Sequence, residues 1–217
     1  MTNTNGIKQQ RSERTRAILT QAATELLLDK GYAGTTLALL AHKVRMTKGA
    51  IYHHFTDKEA LLRAVMEHVR RTWEREVGAH IPPSGDALAR LGALFDHQAH
   101  LIEKEPSLCL LVNGLTLQSR SLGQELAEAV DGITADLAEL VRSILADGQR
   151  AGTVRTDLDA TSMAHSVVAV VKAISCSRAT DPSRSAFLKK METTRTLVIS
   201  GIRRSAMTGG AHDGHRQ

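Results

Sequence analysis

Aromatic residues are scarce in this sequence, with three phenylalanines, two tyrosines and one tryptophan among 217 residues. Beyond Trp73 the only aromatics are Phe95 and Phe187, which weighs against an aromatic cage for a quaternary ammonium ligand. Cysteine is equally rare. Cys109 and Cys176 form neither a disulfide framework nor a metal set, so no metal is expected, and the predicted setting is a reducing cytoplasm. No stretch approaches the roughly eighteen apolar residues of a membrane span, so no membrane partner is expected. The first residues, Met1-Thr-Asn-Thr-Asn5, lack the basic-then-apolar layout of a signal peptide. No segment sustains a period-two alternation, which excludes a sheet as the organising element. Residues 86–206 hold no nucleophile–base pair, no phosphate-cradling loop and no metal set, so an enzyme is not expected and neither is a cofactor.

What is present is helical periodicity and an uneven charge. Residues 1–58 carry nine basic side chains against four acidic ones, an excess equal to the whole formal charge of +5. Such an end suits a polyanionic partner or is simply a solvated face, and charge alone leaves both open. Leu19, Ala22, Ala23, Leu26 and Leu27 trace one face of a first helix over 12–30, which Gly31 ends. Leu37, Leu40, Ala41 and Val44 trace a second, short helix opening at Thr36, and a third runs from Thr47 to His54. Thr56-Asp-Lys-Glu59 has the form of a capping box that opens a fourth helix, continuing past Trp73 to about Ala79. Pro82-Pro-Ser-Gly85 interrupts the pattern. Five helices are predicted beyond it, near 86–104, 106–120, 122–150, 159–178 and 183–206, with Pro106 and Pro182 at first helical positions.

Two short helices joined by a tight turn, on a basic segment, describe a helix-turn-helix. The second helix must be slim enough to enter a major groove about 12 Å wide. Thr47-Lys-Gly-Ala50 supplies small residues at its start, where backbone N–H groups can also face phosphates. Lys48 reaches a guanine edge or a phosphate, and Tyr52 and His53 place polar tips one turn further on. Met46, Ile51 and Phe55 hold the helix to the core.

The stretches Gly31-Tyr-Ala-Gly-Thr-Thr-Leu-Ala-Leu-Leu-Ala41 and Met46-Thr-Lys-Gly-Ala-Ile-Tyr-His-His-Phe-Thr-Asp-Lys-Glu-Ala-Leu-Leu62 resemble the DNA-binding domain of the TetR/AcrR family of bacterial regulators. The resemblance covers about residues 12–65; beyond that it extends only to length and helix count. It implies a homodimer whose helical core binds a small effector and then releases DNA. By position, Thr36 resembles the residue that caps the second helix and touches phosphate. Thr47, Lys48, Gly49 and Ala50 fall where the recognition helix meets bases, Tyr52 and His53 at backbone or base contacts, and Lys58 at a phosphate contact. One departure stands out, because Arg45 occupies the turn position that is usually glycine. A left-handed conformation there costs a non-glycine residue about 1–2 kcal/mol. Either the turn has another geometry, or the strain is offset by a contact of Arg45 with DNA.

The expected architecture is therefore all-α. A flexible basic arm occupies 1–11, a three-helix helix-turn-helix domain 12–56 and a connecting helix 57–80. A helical bundle for effector binding and dimerisation occupies 81–206, ahead of a disordered tail over 207–217. Lys8, Arg11 and Arg14 either track DNA or are merely solvated. Met163, Val167, Val170, Val171 and Ile174 form a stripe on a helix apolar nearly all round; with Phe187, Met191, Val198 and Ile202 it suits a twofold partner, placing the dimer contact on 159–178 and 183–206. His97 and His100 share a face without a third ligand and are expected to be ordinary histidines. Cys109, within Leu-Cys-Leu-Leu, is a small hydrophobe rather than a sensor. The aliphatic character of the bundle favours a lipophilic or acyl-type effector, with Phe95, Cys109, Asn113 and Leu117 as candidate linings. The expected function is a repressor on a palindromic double-stranded operator, released by that effector; the alternative is a DNA-binding regulator or architectural protein that senses nothing.

Overall fold

A computed structural model describes residues 4–118, 122–180 and 183–204. These residues form nine α-helices: α1 (Thr4–Gly34), α2 (Leu37–Lys43), α3 (Lys48–His54), α4 (Lys58–Glu76), α5 (Ala87–Lys104), α6 (Pro106–Gln118), α7 (Gln124–Arg150), α8 (Ala160–Thr180) and α9 (Arg184–Ile202). Among the described residues the extended pairing is confined to one isolated bridge between Val154 and Arg203. Pro182 and the tail 207–217 lie outside the described residues.

The first helix starts well ahead of the expected residue 12, so residues 4–11 of the supposed arm are helical. No proline interrupts them, and turn-to-turn bonds support the helix: Gln9 Nε2 donates to Glu13 Oε1 (3.2 Å), and Thr15 Oγ1 to the Arg11 carbonyl (2.9 Å). Gly31 breaks the helix as expected, at φ 65° and ψ 179°, before one more turn carries the chain to Gly34. The cap of α4 is one residue later than the sequence suggested. Asp57, not Thr56, accepts the Ala60 N–H (2.6 Å), while the Thr56 hydroxyl donates to the other Asp57 oxygen (3.0 Å). A carboxylate sits better than a hydroxyl at a helix N-terminus, where the helix dipole favours negative charge. The last helix stops at Ile202, short of 206, because Arg203 turns extended and Arg204 N–H donates to the Thr153 carbonyl.

The buried residues form two hydrophobic cores. The first gathers Leu19, Ala23, Leu26 and Leu27 of α1, Leu40 of α2, Ile51 and Phe55 around α3, and Leu61 to Val69 of α4. It also takes Leu111 and Leu115 of α6 and Leu126 and Val130 of α7, so the core of the head draws on residues far beyond the 12–56 segment expected for it. The second core joins α5, the C-terminal half of α7, α8 and α9 around Leu91, Leu94, Phe95, Val141, Ile144 and Phe187. Arg90 is buried at its edge, where its guanidinium donates to Asp147 Oδ2 (2.7 Å) and to the Pro82 carbonyl (2.8 Å). The helices α4 and α6 thus belong to the head while walling the bundle.

Among the described residues, Ala160–Arg178 is long and apolar enough to cross a membrane, contrary to the expectation that no segment would be. Its inner face, Met163, Ala164, Val167, Val168 and Val171, is buried in the bundle, where α8 packs on α6, α7 and α9. Only 33% of this stretch is buried, so the rest of the helix lies outside the chain's own core.

Candidate DNA interface and effector cavity

The turn between α2 and α3 decides the geometry of the head. Its Arg45 has φ 56°, in the left-handed region, so the alternative of a different turn geometry falls. Arg45 N–H donates to the His42 carbonyl (3.2 Å) and Met46 N–H to the Ala41 carbonyl (3.0 Å), the paired bonds of a Schellman motif. Thr36 caps α2 by accepting from Leu39 N–H (3.1 Å), and Thr47 caps α3 by accepting from Ala50 N–H (3.2 Å). Ile51 pins α3 to the core with none of its surface exposed.

The other face of α3 is open. Lys48 and Tyr52, and Gly49 and His53, are one turn apart and so neighbours on the helix surface. All four are exposed, as are Thr36, Arg45 and Thr47, while Ala50 is half-buried. A Cβ on Gly49 would meet nothing within 4 Å, so this end of the helix offers unobstructed backbone for close approach. The side chains of Arg45 and Lys48 form no ion pair among the described residues, whereas Lys43 is held by Glu25 (2.9 Å) and Lys30 by Asp29 (3.1 Å). Lys58 is less free than the sequence implied. Its ammonium donates to the Ala33 carbonyl (3.2 Å) and lies 4.1 Å from the centre of the Tyr32 ring, and partial burial holds its pKa below the ordinary lysine value.

Beneath the head lies an apolar cavity of about 80 Å³. Its walls are Val69, Thr72 and Trp73 of α4, Gln98 and Leu101 of α5, and Leu108, Cys109, Val112 and Asn113 of α6. Ile133, Thr134 and Leu137 of α7 and Val168, Val171, Lys172 and Ser175 of α8 close it. Trp73 Nε1 donates to Gln98 Oε1 (3.0 Å), and Asn113 Nδ2 to the Lys172 carbonyl (3.4 Å). Burial, with the negative Glu105 nearby, pushes the Cys109 thiol up to about 12, so it stays a neutral thiol at physiological pH.

Of the four linings expected from sequence, Cys109 and Asn113 are brought together here and two are not. Phe95 is fully buried in the second core, beside Met191 and Leu188 rather than in the cavity. Leu117 is 89% exposed, since the last turn of α6 runs past the bundle. The sequence reading missed Lys172, Thr72 and Trp73. A lone charge inside the otherwise apolar Val167–Ser175 stretch was the available signal. His97, paired with His100 by sequence spacing, instead stacks on His80 with ring centres 4.5 Å apart.

The surface stripe is only partly as expected. Met163, Val167, Val170, Val198 and Ile202 of that stripe line one apolar groove with Leu158, Ser166 and Leu197, in which Val170 (38%) and Leu197 (68%) are the exposed members. Val171, Phe187 and Met191 are instead buried in the chain's own core. On a helix apolar all round, periodicity does not say which side faces its own core.

Residues 19–65 match the family described as bacterial regulatory proteins, tetR family, and residues 87–193 match the tetracyclin repressor-like C-terminal domain. The chain belongs to the TetR family. Curated relatives include the HTH-type transcriptional regulator BetI of Burkholderia ambifaria, 37% identical over 86 residues, which are 37% of this chain and 44% of that protein. A BetI of Paraburkholderia phymatum is 38% identical over 80 residues, covering 34% of this chain and 41% of the relative. The chain thus spans less than half the length of the curated relatives it matches. A solved TetR regulator from Chloroflexus aurantiacus superposes with a TM-score of 0.76 at 20% identity, over 90% of this chain and all (100%) of the other. AibR, solved with isovaleryl coenzyme A and operator DNA, gives 0.70 at 22% identity over 84% of this chain and 96% of its own. At these identities the likeness is one of fold.

In this TetR chain Arg45 stores strain at the turn, and its exposed guanidinium faces solvent with no partner among the described residues. Arg45→Gly is expected to raise unfolding free energy by about 1 kcal/mol, measured by urea titration. If the strain is offset by a cationic contact with DNA, the same variant is expected to weaken operator binding. Unchanged affinity with raised stability would leave the strain unexplained by DNA.

Proposed function

We propose that the chain is a cytoplasmic, sequence-specific DNA-binding transcription regulator, a homodimeric repressor released from a palindromic operator by a small effector. The observation that carries this reading is the solvent face of α3, where Lys48, Gly49, Tyr52 and His53 stand exposed on a helix locked at both ends. Phosphates are met by Thr36, Tyr52 and the remaining donors of Lys58, with Arg45 at the turn; bases are met by Thr47, Lys48, Gly49, Ala50 and His53. Two such heads on a twofold core would read half-sites about 34–36 Å apart or at a multiple of that spacing. The outward apolar groove of α8 and α9 is the face this dimer would use.

Sensing rests on the shared walls. The helices α4 and α6 line the cavity with Thr72, Trp73, Cys109 and Asn113 and pack into the head core with Val65, Leu111 and Leu115. An occupant that spreads these walls tilts the head, so ligand and DNA favour different arrangements of α4 and α6. That AibR, of the same fold, is known in complex with isovaleryl coenzyme A and operator DNA supports a ligand site and a DNA site on one such chain. Linkage then requires a ligand that weakens DNA binding to be weakened by DNA by the same factor.

The test is selection of bound duplexes from a random pool, followed by anisotropy titration of the winner at several salt concentrations. A palindromic winner and a steep salt dependence are expected. If no sequence is enriched above competitor DNA, the reading fails. If an operator is found but no cavity-binding molecule alters its affinity, the regulator without an effector is the correct reading.

A further inference from the structure

Resting on that reading of the cavity as the effector site, we propose that it takes a carboxylic acid with an aliphatic body, its carboxylate held by Lys172. The lining is apolar apart from a few polar groups, and its charged member is a cation. Lys172 Nζ has a single weak contact, to Thr134 Oγ1 at 3.4 Å, and no ion pair among the described residues. No aspartate or glutamate lines the cavity. Lys172 is half-buried at the cavity wall with no carboxylate among the lining residues, so an incoming carboxylate supplies both a counter-charge and acceptors for its remaining donors.

A second observation points the same way. Thr72, on α4 and 2% exposed, has a buried hydroxyl oxygen with no hydrogen-bond partner, and the residue lines this cavity. Buried polar groups are nearly always paired, so an orphan at a cavity wall marks where a ligand's polar atom fits. Lys172 and the Thr134 hydroxyl take the charged end, and Thr72 takes the second carboxylate oxygen or a substituent on the body. The body lies against Val69, Leu101, Val112, Leu137 and Val168. At about 80 Å³ the space is well below the roughly 300–1,000 Å³ of a pocket for a drug-sized ligand. A short acid therefore enters with modest spreading of the walls, and a long one forces them further apart. Because Thr72 stands on the helix that begins at the DNA-binding head, the same hydrogen bond that satisfies it pulls on α4.

Trp73, the sole tryptophan of the chain, stands in the cavity wall and reports occupancy without DNA. Full-length protein is titrated with straight-chain acids from butanoate to decanoate and with the matching primary amides, following Trp73 emission. Acids are expected to bind at least about tenfold more tightly than amides of equal length. Lys172→Met is expected to erase that preference and Lys172→Arg to keep it, with circular dichroism confirming that both fold. Equal binding of acids and amides by the unaltered protein overturns the proposal without needing any variant, as does an unchanged acid preference in Lys172→Met. Acids that bind through Lys172 yet leave operator affinity untouched would sink the effector reading while the ligand class stands. Amides or another uncharged class that lower operator affinity where acids do not would sink the class and keep the effector reading.

Discussion

Val170→Glu combined with Leu197→Glu is expected to yield a folded monomer that has lost about 10²–10⁴-fold in operator affinity. Both side chains are already exposed in the single chain, at 38% and 68%, so a carboxylate at either position keeps access to water in the monomer. In a dimer closed by this groove the same carboxylates would be brought together across a twofold seam, unpaired and stripped of water. Removing solvent from an unpaired charge is strongly unfavourable, and the symmetric contact repeats each of them. The DNA effect follows from valency, because the second half-site contact of a dimer is effectively intramolecular and is lost with the partner. Sedimentation velocity gives the oligomeric state, and anisotropy on the selected duplex gives affinity. Val171→Glu is the wrong probe, since Val171 is only 4% exposed and its glutamate would be buried within the chain's own bundle. A double variant that stays dimeric and keeps its operator affinity places the interface elsewhere.

How far the fold was legible depended on the kind of signal. The turn between α2 and α3 could be located from Val44-Arg-Met46, but its conformation could not, because a non-glycine residue at positive φ runs against steric preference. Gly31 was read correctly because glycine at a helix end carries its own explanation. The head helices were plain because each has one apolar stripe and a polar remainder. The α4 cap was displaced by one residue, since Thr56 and Asp57 are both good caps and only the backbone decides between them.

The cavity was harder. Cys109 and Asn113 were reachable because they lie one turn apart on α6, four positions in sequence. Phe95 was a fair guess by size, but a large aromatic fills a core as readily as it lines a pocket, and here it fills the core. Thr72 and Lys172, on which the proposed ligand chemistry rests, come from helices a hundred positions apart in the chain. No periodicity within either helix announces their meeting. The boundary between head and bundle was invisible for the same reason, because Leu111, Leu115, Leu126 and Val130 join the head core from far along the sequence.

Lys48→Ala is expected to relax base preference at one position per half-site by about 1–3 kcal/mol, a loss that other α3 substitutions should not reproduce. Lys48 is exposed beside the N-cap of α3, its ammonium has no ion pair among the described residues, and the neighbouring Gly49 leaves clear space for the duplex. That position suits a donor reaching guanine O6 and N7. Lys58 differs, because its ammonium is already shared with the Ala33 carbonyl and the Tyr32 ring, leaving its other donors for a phosphate. Lys58→Ala should weaken all sequences alike, lower the salt slope by about one unit and loosen the contact of α4 with the end of α1. Tyr52→Phe removes a neutral hydroxyl from a side chain 56% exposed, so it should weaken all sequences with little change in slope. Each variant is titrated against a panel of single-base operator variants at two salt concentrations. If Lys48→Ala lowers every affinity by the same factor, Lys48 is a phosphate clamp. Base discrimination then falls to Thr47, His53 or the strained Arg45.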